Sequence, residues 1–171
     1  MRIFKEQQRF NQLWLIILII VSLLMPLGII LGTYIKAPES FSKLELIGIV
    51  AIILITPCII FMFKLNTRID EKGIHYKFFP FHLNYKFIKW NDLNNAYVRT
   101  YDALTEYGGW GLKGGLLWKK SKGIAINVSG NIGIQLELKN GKKLLIGTQK
   151  LQEAKQVLDT YKNKLNLELD V

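Results

Sequence analysis

The sequence predicts a membrane α-helical hairpin joined to a mainly β soluble domain that ends in one amphipathic helix. Three observations carry this expectation. Two long uncharged runs stand near the N-terminus, alternating apolar and polar residues with closely spaced turn signals follow Lys64, and the last segment repeats apolar residues every three or four positions. In a chain of 171 residues that is 50% hydrophobic, it is the concentration of the apolar residues at the front that is informative.

The first run, Leu13 to Ile35, holds 23 residues without a charge. As a helix it would extend about 34 Å, enough for a hydrocarbon layer of about 30 Å. The second, Leu46 to Phe63, holds 18 and is lengthened by Leu44 and by Glu45, whose carboxylate reaches the headgroup layer. The expected helices are thus about 13–35 and 44–63, in a hairpin unit of residues 1–64. A cleavable leader is the alternative for the first run, since Arg2, Lys5 and Arg9 precede it. Leader cores, however, run to about 7–15 residues and end at small side chains, whereas this run is longer and ends at Tyr34, Ile35 and Lys36. Neither run has the polar face of a soluble surface helix. Pro26 and Pro57 each remove a backbone donor within a span. Gly28 and Gly32 form a Gly-x-x-x-Gly at which a second helix can approach closely, and the second helix of the same chain is the first candidate.

Basic residues near the span ends set the expected orientation. Arg2, Lys5 and Arg9 precede the hairpin, Lys36 and Lys43 bracket its loop, and Lys64, Arg68, Lys72 and Lys77 follow it, a bias that places the N-terminus and the soluble domain in the cytoplasm. From Lys64 onward the chain carries 18 basic and 10 acidic residues, a net charge of +8. Such a domain is attracted to an anionic leaflet by about 1 kcal/mol for each basic residue near the surface. Neither a recognition module nor a continuous basic stripe points to nucleic acid. The single cysteine, Cys58, lies in the second apolar run, so no disulfide framework or thiolate metal site is expected.

The second unit, residues 65–171, reads as β. Strands are expected at 66–70 and 74–79 around an Asp70-Glu71-Lys72-Gly73 turn, then at 85–90 and 95–100 beyond Pro80. Two more, at 123–128 and 132–139, flank the turn composition Ser129-Gly130-Asn131. In the latter, Ile132, Ile134, Leu136 and Leu138 alternate with Gly133, Gln135, Glu137 and Lys139. Asn140-Gly141 signals a hairpin into 142–147; a two-residue turn there sets Leu145 opposite Leu136 and turns Leu144 and Ile146 to a face that must also be covered. A helix over about 150–165, with Thr148 as N-cap, presents Leu151, Ala154, Leu158, Tyr161 and Leu165 on one side. About seven antiparallel strands and one such helix make a small barrel or sandwich with the helix closing its open end.

Several segments resemble one family. Gly73-Ile74, the turn at Phe79-Pro80-Phe81 and Ile88-Lys-Trp90-Asn-Asp92-Leu93, behind two membrane helices, look like the bacterial pleckstrin-homology-like membrane proteins. Glu106-Tyr-Gly-Gly-Trp-Gly111, Asn127-Val-Ser-Gly-Asn-Ile-Gly-Ile-Gln135 and Leu145-Ile-Gly-Thr-Gln-Lys150 resemble one subgroup of them. The likeness covers nearly the whole chain. It implies a seven-stranded antiparallel PH-like barrel with a C-terminal helix, in a bacterial cytoplasmic membrane, and brings no established reaction. Phosphoinositide-gripping relatives use a basic first hairpin loop, but the loop here, Asp70 to Gly73, is net negative.

Candidates for chemistry are few. Gly109-Trp-Gly111-Leu-Lys-Gly114 matches the letters of a dinucleotide fingerprint, yet Gly115, Leu116, Leu117, Trp118 and lysines come after it where a helix should begin, so no nucleotide is expected. His75 and His82 have no Asp, Glu or Cys at metal spacing, and Asp92, Asp102 and Glu106 are dispersed; no cofactor, metal or catalytic set is expected. Asn127-Val-Ser129 is a formal glycosylation sequon. The most unusual stretch is Gly108 to Lys122, where Trp110, Leu116, Leu117 and Trp118 mix with Lys113, Lys119, Lys120 and Lys122. Aromatic and basic residues together suit a membrane interface or a partner protein, unless the tryptophans fold back onto the domain. Phe78, Phe79, Phe81, Tyr85 and Phe87 form a second aromatic cluster, expected to be mostly core. The expectation is a non-catalytic membrane-tethered module that contacts anionic lipid headgroups, another membrane protein or its own copy. An assembly subunit is the alternative.

Overall fold

The computed structural model describes residues 2–114 and 123–164. It contains two compact units, residues 10–63 and residues 1–9 with 64–171.

The first unit is helical. Helix α1 spans Leu13–Lys36 and α2 spans Lys43–Cys58, continued by a 3-10 turn at Ile59–Met62. Both are long and apolar enough to cross a bilayer. α1 buries only Leu15 and Ile19, and α2 buries nothing. A soluble core helix would be covered by protein; these expose apolar side chains along their length, which lipid tolerates and water does not. Polar side chains within them bond back one turn: Thr33 Oγ1 donates to Ile29 O, and Thr56 Oγ1 to Ile52 O. α2 begins with a capping box, in which Ser42 Oγ accepts from Glu45 N and the Glu45 carboxylate accepts from Ser42 N. Glu45, expected at the headgroups, thus also starts the helix. At the base, the rings of Phe10 and Phe63 meet edge to face at 6.2 Å.

The second unit starts before the hairpin. Strand β1, Phe4–Arg9, pairs antiparallel with β2, Lys64–Asp70, from Phe4 opposite Ile69 to Arg9 opposite Lys64. The sequence shows these residues only as a charged flank of the hairpin. In the structure they are an integral strand of the β unit, so the unit boundary at residue 64 applies to one side of the hairpin only. Strands β3, Gly73–Phe79, and β4, Lys86–Lys89, complete a four-stranded sheet A in the order β1-β2-β3-β4. Gly73 has φ +151°, and a Cβ there would lie 2.1 Å from Ile88 O, so no side chain fits between β3 and β4.

A 3-10 turn at Trp90–Asp92 leads into sheet B. Its strands are β5 (Leu93–Thr100), β6 (Gly111–Lys113), β7 (Ile124–Asn127), β8 (Ile132–Leu138) and β9 (Lys143–Gly147), and a short helix α3 (Ala103–Tyr107) precedes β6. The order is β5-β8-β9-β7-β6. Three expectations are corrected here. The described residues form nine strands in two sheets, and no strand pairing closes these into a seven-stranded barrel. The turn at Ser129-Gly130-Asn131 does not pair the strands it joins, because β9 lies between β7 and β8 and runs parallel to β7. The β8–β9 loop has three residues, with Gly141 at φ +80°, so Leu136 faces Leu144 and Gln135 faces Leu145. Leu144, Leu145 and Ile146 are all buried, so both faces of β9 are covered as the alternation required.

Helix α4, Leu151–Tyr161, packs on β1 and β2 of one sheet and on β5 and β8 of the other. It buries Ala154, Val157, Leu158 and Tyr161; Leu151 is exposed, and Leu165 lies outside the described residues. Thr148 sits ahead of the helix, where its Oγ1 accepts from Lys150 N.

Candidate functional site

Directly opposed residues in an antiparallel sheet share a face. On sheet A the inward rows are Phe4–Ile69–Ile74–Ile88 and Gln8–Leu65–Phe78, with Glu6–Thr67–Tyr76 between them. The outward rows are polar and cationic: Arg9–Lys64–Phe79, Gln7–Asn66–Lys77 and Lys5–Arg68–His75–Phe87. An open cavity of about 450 Å³ lies on this face, lined by Lys5, Gln7, Asn66, Arg68, His75 and Tyr85 together with Glu6 and Thr67. The Glu6 carboxylate points through to the other sheet, accepting from Thr148 Oγ1 at 2.6 Å and Gln149 N at 2.8 Å. The cavity therefore presents mostly donors.

Asp70 contacts two of the lining residues, Arg68 and His75. The carboxylate is almost fully buried, 2.9 Å from Arg68 Nη2, and accepts from Lys72 N. His75 Nε2 stands 3.4 Å away, an electrostatic contact outside hydrogen-bond geometry, and the His75 ring stacks on Phe87 at 4.4 Å. Burial pushes the Asp70 carboxyl up, but the Lys72 amide, His75 and Arg68 together outweigh it and hold it below the usual carboxylate value. A depressed folded-state value means that the ionised form stabilises the fold above the unfolded value of about 4, and that this stability is lost as pH falls through the folded value. The Asp70→Asn variant should be less stable than wild type near neutrality, and its thermal midpoint should change less with pH below about pH 4. Melting curves across that range check both, and parallel profiles for the two proteins would reject this role.

Arg9 and Lys64, the residues that flank the hairpin in the chain, lie at one end of sheet A opposite Phe79. The β3–β4 loop therefore leaves from that same end. His82 ties it down: His82 N donates to Phe78 O at 2.8 Å, and Phe78 N donates to His82 Nδ1 at 3.3 Å. Burial and the neighbouring Lys86 lower the His82 basicity, which favours the neutral ring that this acceptor role needs. Phe81, Leu83 and Tyr85 are 60%, 71% and 53% exposed, and Phe87 is exposed as well. Of the aromatic cluster expected to be mostly core, only Phe78 is fully buried; Phe79 is half-buried.

The candidate residues of the Gly108 to Lys122 stretch divide. Trp110 is half-buried against Tyr101, Ala103, Tyr107, Ala125 and Leu145, and its Nε1 donates to Gly130 O at 3.3 Å. It has folded back onto the domain. Lys113 ends β6 and is half-buried. Leu116, Leu117, Trp118, Lys119, Lys120 and Lys122 lie outside the described residues. The two stems of the stretch meet at the start of β9: a Cβ on Gly114 would lie 2.4 Å from Gly123 O, and one on Gly123 would lie 2.1 Å from Lys143 O. The opposite end of β9 is where Gln8, one residue from the end of β1, donates to Gly147 O. Gly28 and Gly32 are open: a Cβ on either would meet nothing within 4 Å, so α2 does not pack on them as expected.

The other distinctive segments hold the fold. Arg99 makes a two-pronged contact with Glu106 at 2.8 and 3.2 Å and also donates to Tyr107 Oη and Gln135 Oε1. Asn127 Nδ2 donates to Tyr101 Oη at 2.8 Å while its Oδ1 accepts from Gly111 N, so the formal sequon is sealed in the core. Burial lifts the Tyr101 phenol above its ordinary range, which keeps it protonated. A larger, shallow depression of about 590 Å³ borders Asp102, Glu106, Trp110 and Asn131. Its charged groups are already occupied: Asp102 caps α3 through Leu104 N and Thr105 N, and Glu106 holds Arg99. The dinucleotide-like glycines open strand β6 rather than a helix. The sheet A cavity was not legible as a site, because its lining comes from β1 before the hairpin and from β2, β3 and the β3–β4 loop after it; only the excess of lysine and arginine near the span ends hinted at it.

No family model matches the chain, and neither a curated protein nor a solved structure matches it.

Proposed function

We propose that this protein is a non-catalytic, membrane-anchored interaction module whose β unit rests on the anionic bilayer surface through the Arg9–Lys64 end of sheet A. The observation that carries the reading is the strand register, which sets the exposed Phe81 and Leu83 loop at the same end as Arg9 and Lys64. Apolar tips beside cations are what the headgroup boundary favours. Pairing of Arg9 with Lys64 supports a hairpin that enters and leaves the bilayer on one side, and the basic flanks favour the cytoplasmic side. The contact is assigned to the exposed β3–β4 loop.

The test is a polarity-sensitive fluorophore on Leu83→Cys in a Cys58→Ala background, with the full chain in vesicles. Emission should shift to the blue in anionic vesicles relative to detergent with a polar surface, and a label at Lys139→Cys, beside the β8–β9 turn, should not shift. Identical spectra for the Leu83 label in both settings would remove the reading.

A further inference from the structure

We infer that the outer-face cavity of sheet A is a phosphate-binding site. Arg68 is the anchor. One of its guanidinium nitrogens is fixed on Asp70 at 2.9 Å, which orients the planar group, while the side chain stays 47% exposed with its remaining N–H groups free to bind. A guanidinium held in this way presents a preformed fork to a tetrahedral oxyanion and loses little rotamer freedom on binding. Lys5, directly opposite Arg68 across the β1–β2 ladder, adds a second cation at the same level. The side-chain amides of Gln7 and Asn66, one row away, and the Tyr85 hydroxyl supply neutral donors to the remaining oxygens.

Charge favours the same ligand. Of the two carboxylates near the cavity, Glu6 is turned through the sheet to Thr148 and Gln149, and Asp70 is buried beneath Arg68 and His75. Lys64, Lys77 and Arg9 stand on the same face in the next two rows. The lining thus holds cations and donors against a compact anion. A phosphate group, on a lipid headgroup or free in solution, is the ligand this chemistry takes. Through Tyr85 the cavity adjoins the exposed β3–β4 loop, so the inference extends the bilayer-contact reading, but it stands on its own residues.

Isothermal titration calorimetry on the full chain in a non-ionic detergent tests it with two probes, inorganic phosphate and a short-chain phosphatidic acid. Saturable binding of at least one probe is expected, weakened about tenfold or more by Lys5→Gln and separately by Arg68→Gln, since each removes a charge-assisted contact. Lys5→Gln alters an exposed edge-strand side chain and keeps the fold, so its result stands even if Arg68→Gln disturbs Asp70. Equal affinity for the two probes assigns recognition to the phosphate alone; much tighter binding of phosphatidic acid assigns the lipid. Leu83→Ser, which removes an apolar tip of the loop, should leave inorganic phosphate binding unchanged, so this inference and the bilayer-contact reading fail separately. Absence of saturable binding by both probes, or wild-type affinity in both charge variants, would overturn it.

Discussion

Deleting residues 2–9 will leave the β unit unable to fold, although the sequence presents that stretch as a charged flank of the first membrane span. The segment contributes a whole edge of sheet A and much of the tie between the sheets. Phe4 is fully buried, and truncating a buried Phe costs about 3–5 kcal/mol. Removing Glu6 and Gln8 takes the acceptor from the buried Thr148 hydroxyl and the donor from Gly147 O, and a buried polar group that loses its partner costs about 1–3 kcal/mol. Tyr161, which donates to Arg2 O at 2.7 Å, loses its acceptor as well. The sum rivals the roughly 5–15 kcal/mol that holds a typical domain together. Because the deletion also removes the basic residues that flank the hairpin, Phe4→Ala is the companion variant; it keeps Arg2, Lys5 and Arg9. Limited proteolysis and near-ultraviolet circular dichroism of the detergent-purified proteins should show a protease-labile, unpacked β unit for the deletion and a stability lowered by about 3–5 kcal/mol for Phe4→Ala. A deletion variant that still melts cooperatively near the wild-type midpoint would mean that β1 is an accessory.

The second large effect is expected at Trp90. Its ring is 2% exposed and lies 5.5 Å from that of Tyr161 in α4, while its Nε1 donates to Asp70 O at the end of β2. One side chain thus connects the corner of sheet A, the turn into sheet B and the C-terminal helix. Trp90→Ala should cost about 3–5 kcal/mol in denaturant unfolding, from lost burial and the cavity left behind. Trp90→Phe keeps part of the ring volume and loses the donor. It should fall well short of the alanine loss, because a net hydrogen bond contributes about 1 kcal/mol. Equal losses for the two variants would place the energy in the hydrogen bond rather than in the packing.

The contrast between β1 and its neighbours shows what can be read from a sequence like this. Ile132 to Leu138 announces itself because four apolar residues alternate with polar ones, and the structure places a strand there. β1 alternates just as strictly, but its inward positions are Phe4, Glu6 and Gln8, and two of the three are polar. They are buried because hydrogen-bond partners wait at Gly147, Thr148 and Gln149, about 140 residues away. A period count sees no apolar face and passes over the strand. The aromatic cluster misleads in the opposite direction: Phe78 and Phe81 look equivalent in the sequence, but strand parity turns Phe78 inward and the loop turns Phe81 out. Likewise, the Asn140-Gly141 signal locates a hairpin, yet the register shows a loop of three residues rather than two.

By itself, the sequence determined the two apolar spans, the β character of the chain beyond Lys64 and the amphipathic closing helix. These depend on runs, alternation and three-to-four spacing, which are local properties of a chain whose backbone allows few regular geometries. Only the tertiary structure decided that residues before the hairpin join the sheet after it, that β9 separates β7 from β8, and that Lys5, Arg68 and His75 share one cavity. Those outcomes are choices of partner. Each is set by the sum of burial and hydrogen bonding over segments far apart in the chain, and no short stretch of residues carries that sum.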